Sequence, residues 1–284
     1  MLCAWKEVLS LITSENKVYV FGKGFTELQT ISPGDMVYSL AGQRVEVAPI
    51  EKVECHFISA NINSVVAGQQ NVDATDDARF LYHSDKHGVK YASFREIPNI
   101  TPNKEMSETK YLPVLTHPYF QGERRATDSE LEYLARMLAA GGSSYNLGEF
   151  IEISQKCTGE DALVFTHLVE TWLSISPGQG NFGRVHVKSR MHIVYDRFIA
   201  DEVIRLALLA GYTCTEIIFP RHAIALKISY ESMPVPGSIP KNQKYKKAFY
   251  RGLVYNIMCE GNRPIMGKSR GRYFYLPTTS TLNS

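Results

Sequence analysis

KVYVFGKGFTELQTISPGDMVYSL, residues Lys17 to Leu40, joins two short apolar runs through turns marked by glycine and proline. The first run, KVYVF, is rich in β-branched and aromatic residues and stops at Gly22-Lys23-Gly24. The second, MVYSL, begins directly after Ser32-Pro33-Gly34-Asp35, a turn sequence. Short apolar runs bounded by such residues predict strands, not helices. The pattern continues outward: EVAPIEKVE alternates, and SVVAG, RFLYH and VKYASF follow, so residues 17 to about 120 predict an all-β unit. Upstream, the spacing of Trp5, Val8, Leu9 and Ile12 predicts an amphipathic helix over Ala4 to Ile12.

The middle of the chain changes character. Thr127 to Ala140 predicts a helix, with Asp128 able to cap it and Leu131, Leu134, Met137 and Leu138 on one face. A strand is expected at GEFIEIS, a helix from Glu160 to about Leu173, and a strand from Phe182. A further helix, Phe198 to Leu209, ends at Gly211 as a C-cap, and the strands TEIIF and AIALKIS follow. The linker MPVPGSIPKN carries three prolines, and GLVYNIMC and RYFYLP return to strand patterning. The order β, then α+β, then β predicts one domain inserted into another, with boundaries at 1–125, 126–233 and 234–284.

At 284 residues, 44% apolar and 21% charged, the composition is that of a globular protein. No apolar run is long enough for a membrane helix. The start MLCAWKEVLSLI has Glu7 inside its apolar part and lacks a cleavage site, so no signal peptide is expected and the localisation expected is cytoplasmic, or host cytoplasm if phage-encoded. Cys3, Cys55, Cys157, Cys214 and Cys259 are widely spaced, which points to reduced thiols and away from zinc. The net charge of +2 conceals an asymmetry. Lys241 to Arg272 holds nine basic residues and one acid, Glu260, so it is +8 and the remainder −6. Tyr245, Phe249, Tyr250 and Tyr255 interleave with that charge, the composition of a polyanion-binding segment or of a solvated, Lys-rich strand edge.

GRVHVKSRMHI shows the sharpest local pattern. In an extended chain Arg184, His186, Lys188, Arg190 and His192 share one face, and Val185, Val187, Ser189, Met191 and Ile193 the other. Such a row is either an outer face relieved by neighbouring carboxylates or a sheet laid against phosphates and base edges. His83 and His87 lie four apart but have no third ligand in sequence, so no metal site is expected there. No phosphate-cradling G-x-x-x-x-G-K-[ST] loop and no G-x-S-x-G elbow is present.

Taken in order, three stretches resemble an intein-type Hint domain. These are Lys17 to Leu40 with its Pro33-Gly34-Asp35-Met36-Val37 step, the segment Thr75-Asp76-Asp77-Ala78-Arg79-Phe80, and Val254 to Met266. The α+β segment lies where such a domain carries an inserted LAGLIDADG homing endonuclease. The fold implied is α+β: an all-β Hint-like domain built from both ends of the chain, with an αββα-type insert. The resemblance also implies what is missing. Where the family has its N-terminal Cys or Ser, ITSEN offers only Thr13 and Ser14; the family's two histidines fall on Ala78 and near Arg263. An acyl shift needs a nucleophile and an acid within reach, so no splicing is expected. In YLARMLAAGG, Gly141 takes the place of the first metal-binding acid, and the second motif helix ends near Ser176 or Pro177. Read without the resemblance, YLARMLAAGG is an amphipathic helix with a glycine stop.

The function expected is double-stranded DNA binding without splicing and without cleavage. Arg184, His186, Lys188, Arg190 and His192, with Lys241, Lys244, Lys246, Lys247 and Arg251, are the expected DNA-binding residues, with no metal site and no cofactor. Two alternatives stand beside it: an active, magnesium-dependent homing endonuclease, and a structural or accessory subunit recruited into a phage or organelle assembly.

Overall fold

The computed structural model describes residues 11–41, 44–67, 70–76, 78–84, 88–93, 123–139, 146–175, 189–210, 212–219, 224–229, 244–269 and 272–276. It is a mixed, sheet-rich structure with four α-helices among those residues. No helix among them is long and apolar enough to cross a membrane.

Near the start run β1 (Ile12–Thr13), β2 (Asn16–Val20), β3 (Gly24–Glu27), β4 (Met36–Ala41) and the long β5 (Arg44–Ala67). Ile12, expected at the end of a helix, is instead paired with Tyr255 and Ala74 as a strand residue. The turn into β4 follows the sequence signal: Asp35 N–H donates to the Ser32 carbonyl at 3.1 Å, with Gly34 at φ 92°. That positive φ after a proline is the geometry glycine supplies without steric penalty. The Asp35 carboxylate accepts from Ser32 N–H at 2.9 Å and pairs with Lys23 at 2.7 Å.

β6 (Gln70–Ala74) and the hairpin β7 (Arg79–Ser84) with β8 (Gly88–Ser93) complete the first part. After the helical segment come β12 (Lys244–Cys259), β13 (Ile265–Ser269) and β14 (Arg272–Leu276). Strands from both ends of the sequence interleave: β12 pairs with β1 and β5, and β13 with β2 and β4. β1 also pairs with β6 and β6 with β5, so β12, β1, β6 and β5 close a ring of strands.

The intervening segment contains α1 (Asp128–Ala139), α2 (Leu147–Lys156), α3 (Gly159–Ile175), β9 (Ser189–Val194), α4 (Arg197–Leu209), β10 (Thr213–Ile218) and β11 (Ile224–Ser229). GEFIEIS, expected as a strand, is helix α2. Asn146 caps it, its side-chain oxygen accepting from Gly148 and Glu149 N–H, and Phe150, Ile153 and Ser154 are buried at helical spacing. The alternation in that stretch is real, but the cap and the i,i+3,i+4 burial decide the period. α1 and α3 lie along each other, with Leu131, Leu134, Ala135, Phe165 and Val169 in the core between them.

This segment shares its interior with the β part. One apolar cluster joins residues of all four helices to Tyr19, Phe25, Tyr38, Leu40 and Met266. At its centre sits a buried polar knot. Arg205 and Glu202 of α4 are both fully buried and ion-paired at 2.9 Å. Arg205 also donates to the Tyr38 hydroxyl at 2.8 Å and to the Ser154 carbonyl. The Tyr19 hydroxyl and Ser154 Oγ donate to Glu202. Burial pushes both tyrosine hydroxyls above their usual pKa, so they act as neutral donors and acceptors. A buried pair with its lone pairs filled is tolerated, and here it fixes α4 and α2 against β2 and β4.

Candidate nucleic-acid interface

The strand row singled out in the sequence is only partly described. Arg184, His186 and Lys188 lie outside the described residues, as do Lys241, Gly141, Ser176 and Pro177. Positions 190 and 192 lie on β9, which pairs antiparallel with β11. The register sets position 190 opposite Ile228, 192 opposite Leu226, and Val194 opposite Ile224. Directly opposed residues share a face. Ile228, Leu226, Ile224 and Val194 are all buried in the core shared with the helices.

The second group of expected contacts lies elsewhere, on β12, which runs antiparallel to β5 from Lys244 opposite Val66 to Asn256 opposite Glu54 without a slip. Among the described residues, third strands meet this ribbon only toward its ends: β6 at Asn63 to Ala67 and β1 at Tyr255 and Val254. Between those contacts, residues 56–62 and 248–253 form a ribbon of two strands among the described residues. Its register assembles one face from Phe57 opposite Leu253, Ser59 opposite Arg251, Asn61 opposite Phe249, and Asn63 opposite Lys247. Phe57 and Phe249 are 64% and 69% exposed, and Leu253 is 41% exposed. Arg251 is exposed and has no carboxylate partner among the described residues; Lys247 is 46% exposed and stands 3.7 Å from Asp76. No acidic residue occurs from Cys55 to Val72 or from Ser232 to Cys259, so the two-stranded stretch 56–62 and 248–253 carries no carboxylate of its own on either face. Lys244 and Lys246 sit further along the same strand.

Phe57, Ser59 and Asn61 were not singled out in the sequence. The available signal was the absence of acids over Cys55 to Val72, visible only once that segment is paired with the basic one.

The positions that resemble splicing blocks also come together. Thr75 Oγ1 accepts from Leu11 N–H at 3.1 Å, and Thr75 N–H donates to the Leu11 carbonyl at 3.1 Å. Leu11 and Ala78 are both buried, Ala78 completely. The residue held against Thr75 is thus an aliphatic leucine, where Thr13 and Ser14 had been the expected remnants. Thr13 is buried, and its hydroxyl accepts from Asn16 Nδ2 at 3.2 Å. Ser14 is exposed, beside the Tyr250 hydroxyl at 3.4 Å. Arg263 pairs with Glu46. The Ala78 N–H donates to the Thr75 carbonyl at 3.1 Å.

In the helical segment the carboxylate at the start of α3 is committed to structure. Asp161, fully buried, accepts from the N–H groups of Arg125, Ala126 and Thr158. Among the described residues no three His, Cys, Asp or Glu side chains converge as metal ligands.

No protein-family model matches the sequence. No curated protein matches it. Solved structures that do match include the crystal structure of Ssp DnaB mini-intein variant M86, at 7% identity over 96% of this chain and 97% of that one, with a TM-score of 0.38. They also include the solution structure of a bacterial intein-like domain from Clostridium thermocellum, at 7% identity over 94% and 97%, with a TM-score of 0.34. At such identity and overlap neither fold nor function is carried across.

Proposed function

We propose that this chain is a Hint-like protein that neither splices nor cuts, and that it binds DNA along the β5–β12 ribbon. The observation that carries the reading is the acid-free ribbon face on which exposed Arg251 and Lys247 alternate with exposed Phe249 and Leu253. A two-stranded ribbon is narrow enough for the major groove of duplex DNA, where Arg and Lys reach phosphates and guanine edges. Lys241, Lys244 and Lys246 remain proposed contributors to this polyanion surface, and Arg184, His186, Lys188, Arg190 and His192 remain proposed contacts of a separate basic row. The Hint-like ancestry rests on the ordered motifs, and the loss of splicing on Leu11 and Ala78 standing beside Thr75.

Equilibrium binding to a short DNA duplex, repeated across salt concentrations, tests the proposal. Neutralising several phosphates releases counterions, so log K should fall steeply and linearly with log salt. Absence of binding to any nucleic acid at low salt, or an affinity indifferent to salt, overturns it. Fusing the chain between two reporter domains tests the splicing part: the precursor should persist, and a ligated product without the chain would contradict it.

A further inference from the structure

We infer that the ribbon face is a stacking platform for unpaired bases, so that a single-stranded stretch is bound in preference to duplex. This deepens the DNA-binding reading above and rests on it. Phe57 and Phe249 project from one face of a two-stranded ribbon and are each about two-thirds exposed, 64% and 69%. Leaving two phenyl rings in water on a face that no third strand covers among the described residues is unfavourable unless something covers them. In a closed duplex the bases present only their edges, so these rings could meet only backbone and groove walls. An unpaired strand offers base faces, and every base has one.

The spacing fits that occupant. Phe57 lies opposite Leu253 and Phe249 opposite Asn61, so the rings are offset by four residues along the ribbon. At about 3.3 Å per residue, and with strands about 5 Å apart, their anchor points stand roughly 14 Å from one another. One base cannot cover both rings, so each takes its own. Between them the face holds the opposed pair Ser59 and Arg251, a hydroxyl and an exposed guanidinium without a described carboxylate partner. That places a phosphate-binding cation between two stacking rings, with Asn61 beside Phe249 to meet base edges. Leu253 widens the apolar surface beside Phe57. The lack of any acid over Cys55 to Ala67 and Lys244 to Cys259 makes this stretch of the ribbon complementary to an anionic strand and not to a basic peptide.

Fluorescence anisotropy on the full chain decides the matter with three labelled probes of equal length: an oligothymidylate, a closed duplex, and an abasic deoxyribose-phosphate oligomer. The platform predicts tightest binding to the oligothymidylate and at least tenfold weaker binding to the abasic oligomer. Phe57→Ala and Phe249→Ala should each weaken oligothymidylate binding roughly tenfold or more, from the usual worth of one base–aromatic stack. Both should leave abasic binding nearly unchanged, whereas Phe249→Tyr, which keeps the ring, should stay close to the parent. Because both rings are mostly exposed, circular dichroism of the alanine variants should match the parent. Equal affinity for the oligothymidylate and the abasic oligomer, or alanine variants indistinguishable from the parent, overturns the platform while leaving salt-dependent DNA binding intact. Failure to bind any of the three probes overturns the DNA-binding reading itself.

Discussion

Replacing Arg205 by alanine should be among the most damaging single changes in the β–helix junction. Arg205 is fully buried, and its guanidinium pairs with Glu202, donates to the Tyr38 hydroxyl and closes on the Ser154 carbonyl. The alanine variant leaves the Glu202 carboxylate fully buried with only the Tyr19 and Ser154 hydroxyls to solvate it. Breaking a buried pair from one side typically costs about 3–5 kcal/mol, more than the net value of the pair, because the stranded charge keeps its desolvation penalty. Against a total stability of roughly 5–15 kcal/mol, that is enough to lower the urea midpoint substantially or to abolish folding. A second variant separates charge stranding from lost volume: Glu202→Gln with Arg205→Met removes both charges and should recover much of the loss. Urea denaturation followed by circular dichroism gives the comparison. A loss below about 1 kcal/mol in Arg205→Ala, or a double variant no better than the single one, would refute the view that the knot holds the helices to the sheet.

Other outcomes follow from individual sites. Glu130, paired with Lys156 and accepting from Thr127 N–H, is held down to about 2, below its usual 4.5, by Lys156 foremost. Its contribution is therefore fully present above about 4.5 and lost as pH falls through about 2; the melting-temperature gap between parent and Glu130→Gln should be open at pH 7, narrow over that window, and remain small because the pair is partly exposed. Gly267 has no room for a side chain, since an added Cβ would stand 2.3 Å from Leu276 Cδ1 and 2.7 Å from the Lys17 carbonyl oxygen. Gly267→Ala should then destabilise by about 1–3 kcal/mol, and an unchanged urea midpoint would contradict the close approach of β2, β13 and β14. Burial pushes the Cys157 thiol up to about 12, whereas Cys55 is exposed. Alkylation near pH 8 with peptide mapping should modify Cys55 readily and Cys157 only after unfolding.

Local chemistry carried much of the fold. Pro33-Gly34 between two apolar runs marked the turn into β4, and the leucine spacing of α1 placed that helix within a residue or two at each end. What failed was long-range. GEFIEIS alternates convincingly, and only the Asn146 cap and the packing of Phe150 and Ile153 make it helical. β5 runs 24 residues because it changes pairing partners from β4 to β12 and β6, and a rule for separate short strands cuts such a strand into pieces. In α4, Asp201, Glu202 and Arg205 are all buried; a polar sequence gave no hint that Tyr19, Tyr38 and Phe25, remote in the chain, would satisfy them. The site followed the same division. Lys247 and Arg251 were visible as charge, but their neighbours Phe57 and Asn61 lie on a strand some 190 residues away and become neighbours only through the register. Alternation of basic residues around Arg190 and His192 was visible in the sequence, whereas the pairing of their strand with β11 was not specified by that pattern.

Charge reversal on the ribbon puts the central claim to its most direct test. Lys247→Glu with Arg251→Glu, both exposed and outside the core, should leave the far-ultraviolet spectrum unchanged while cutting DNA affinity at low salt and reducing the slope of log K against log salt by about two. A folded double variant that binds with the parent's affinity and the parent's slope would place any DNA contact somewhere other than this ribbon.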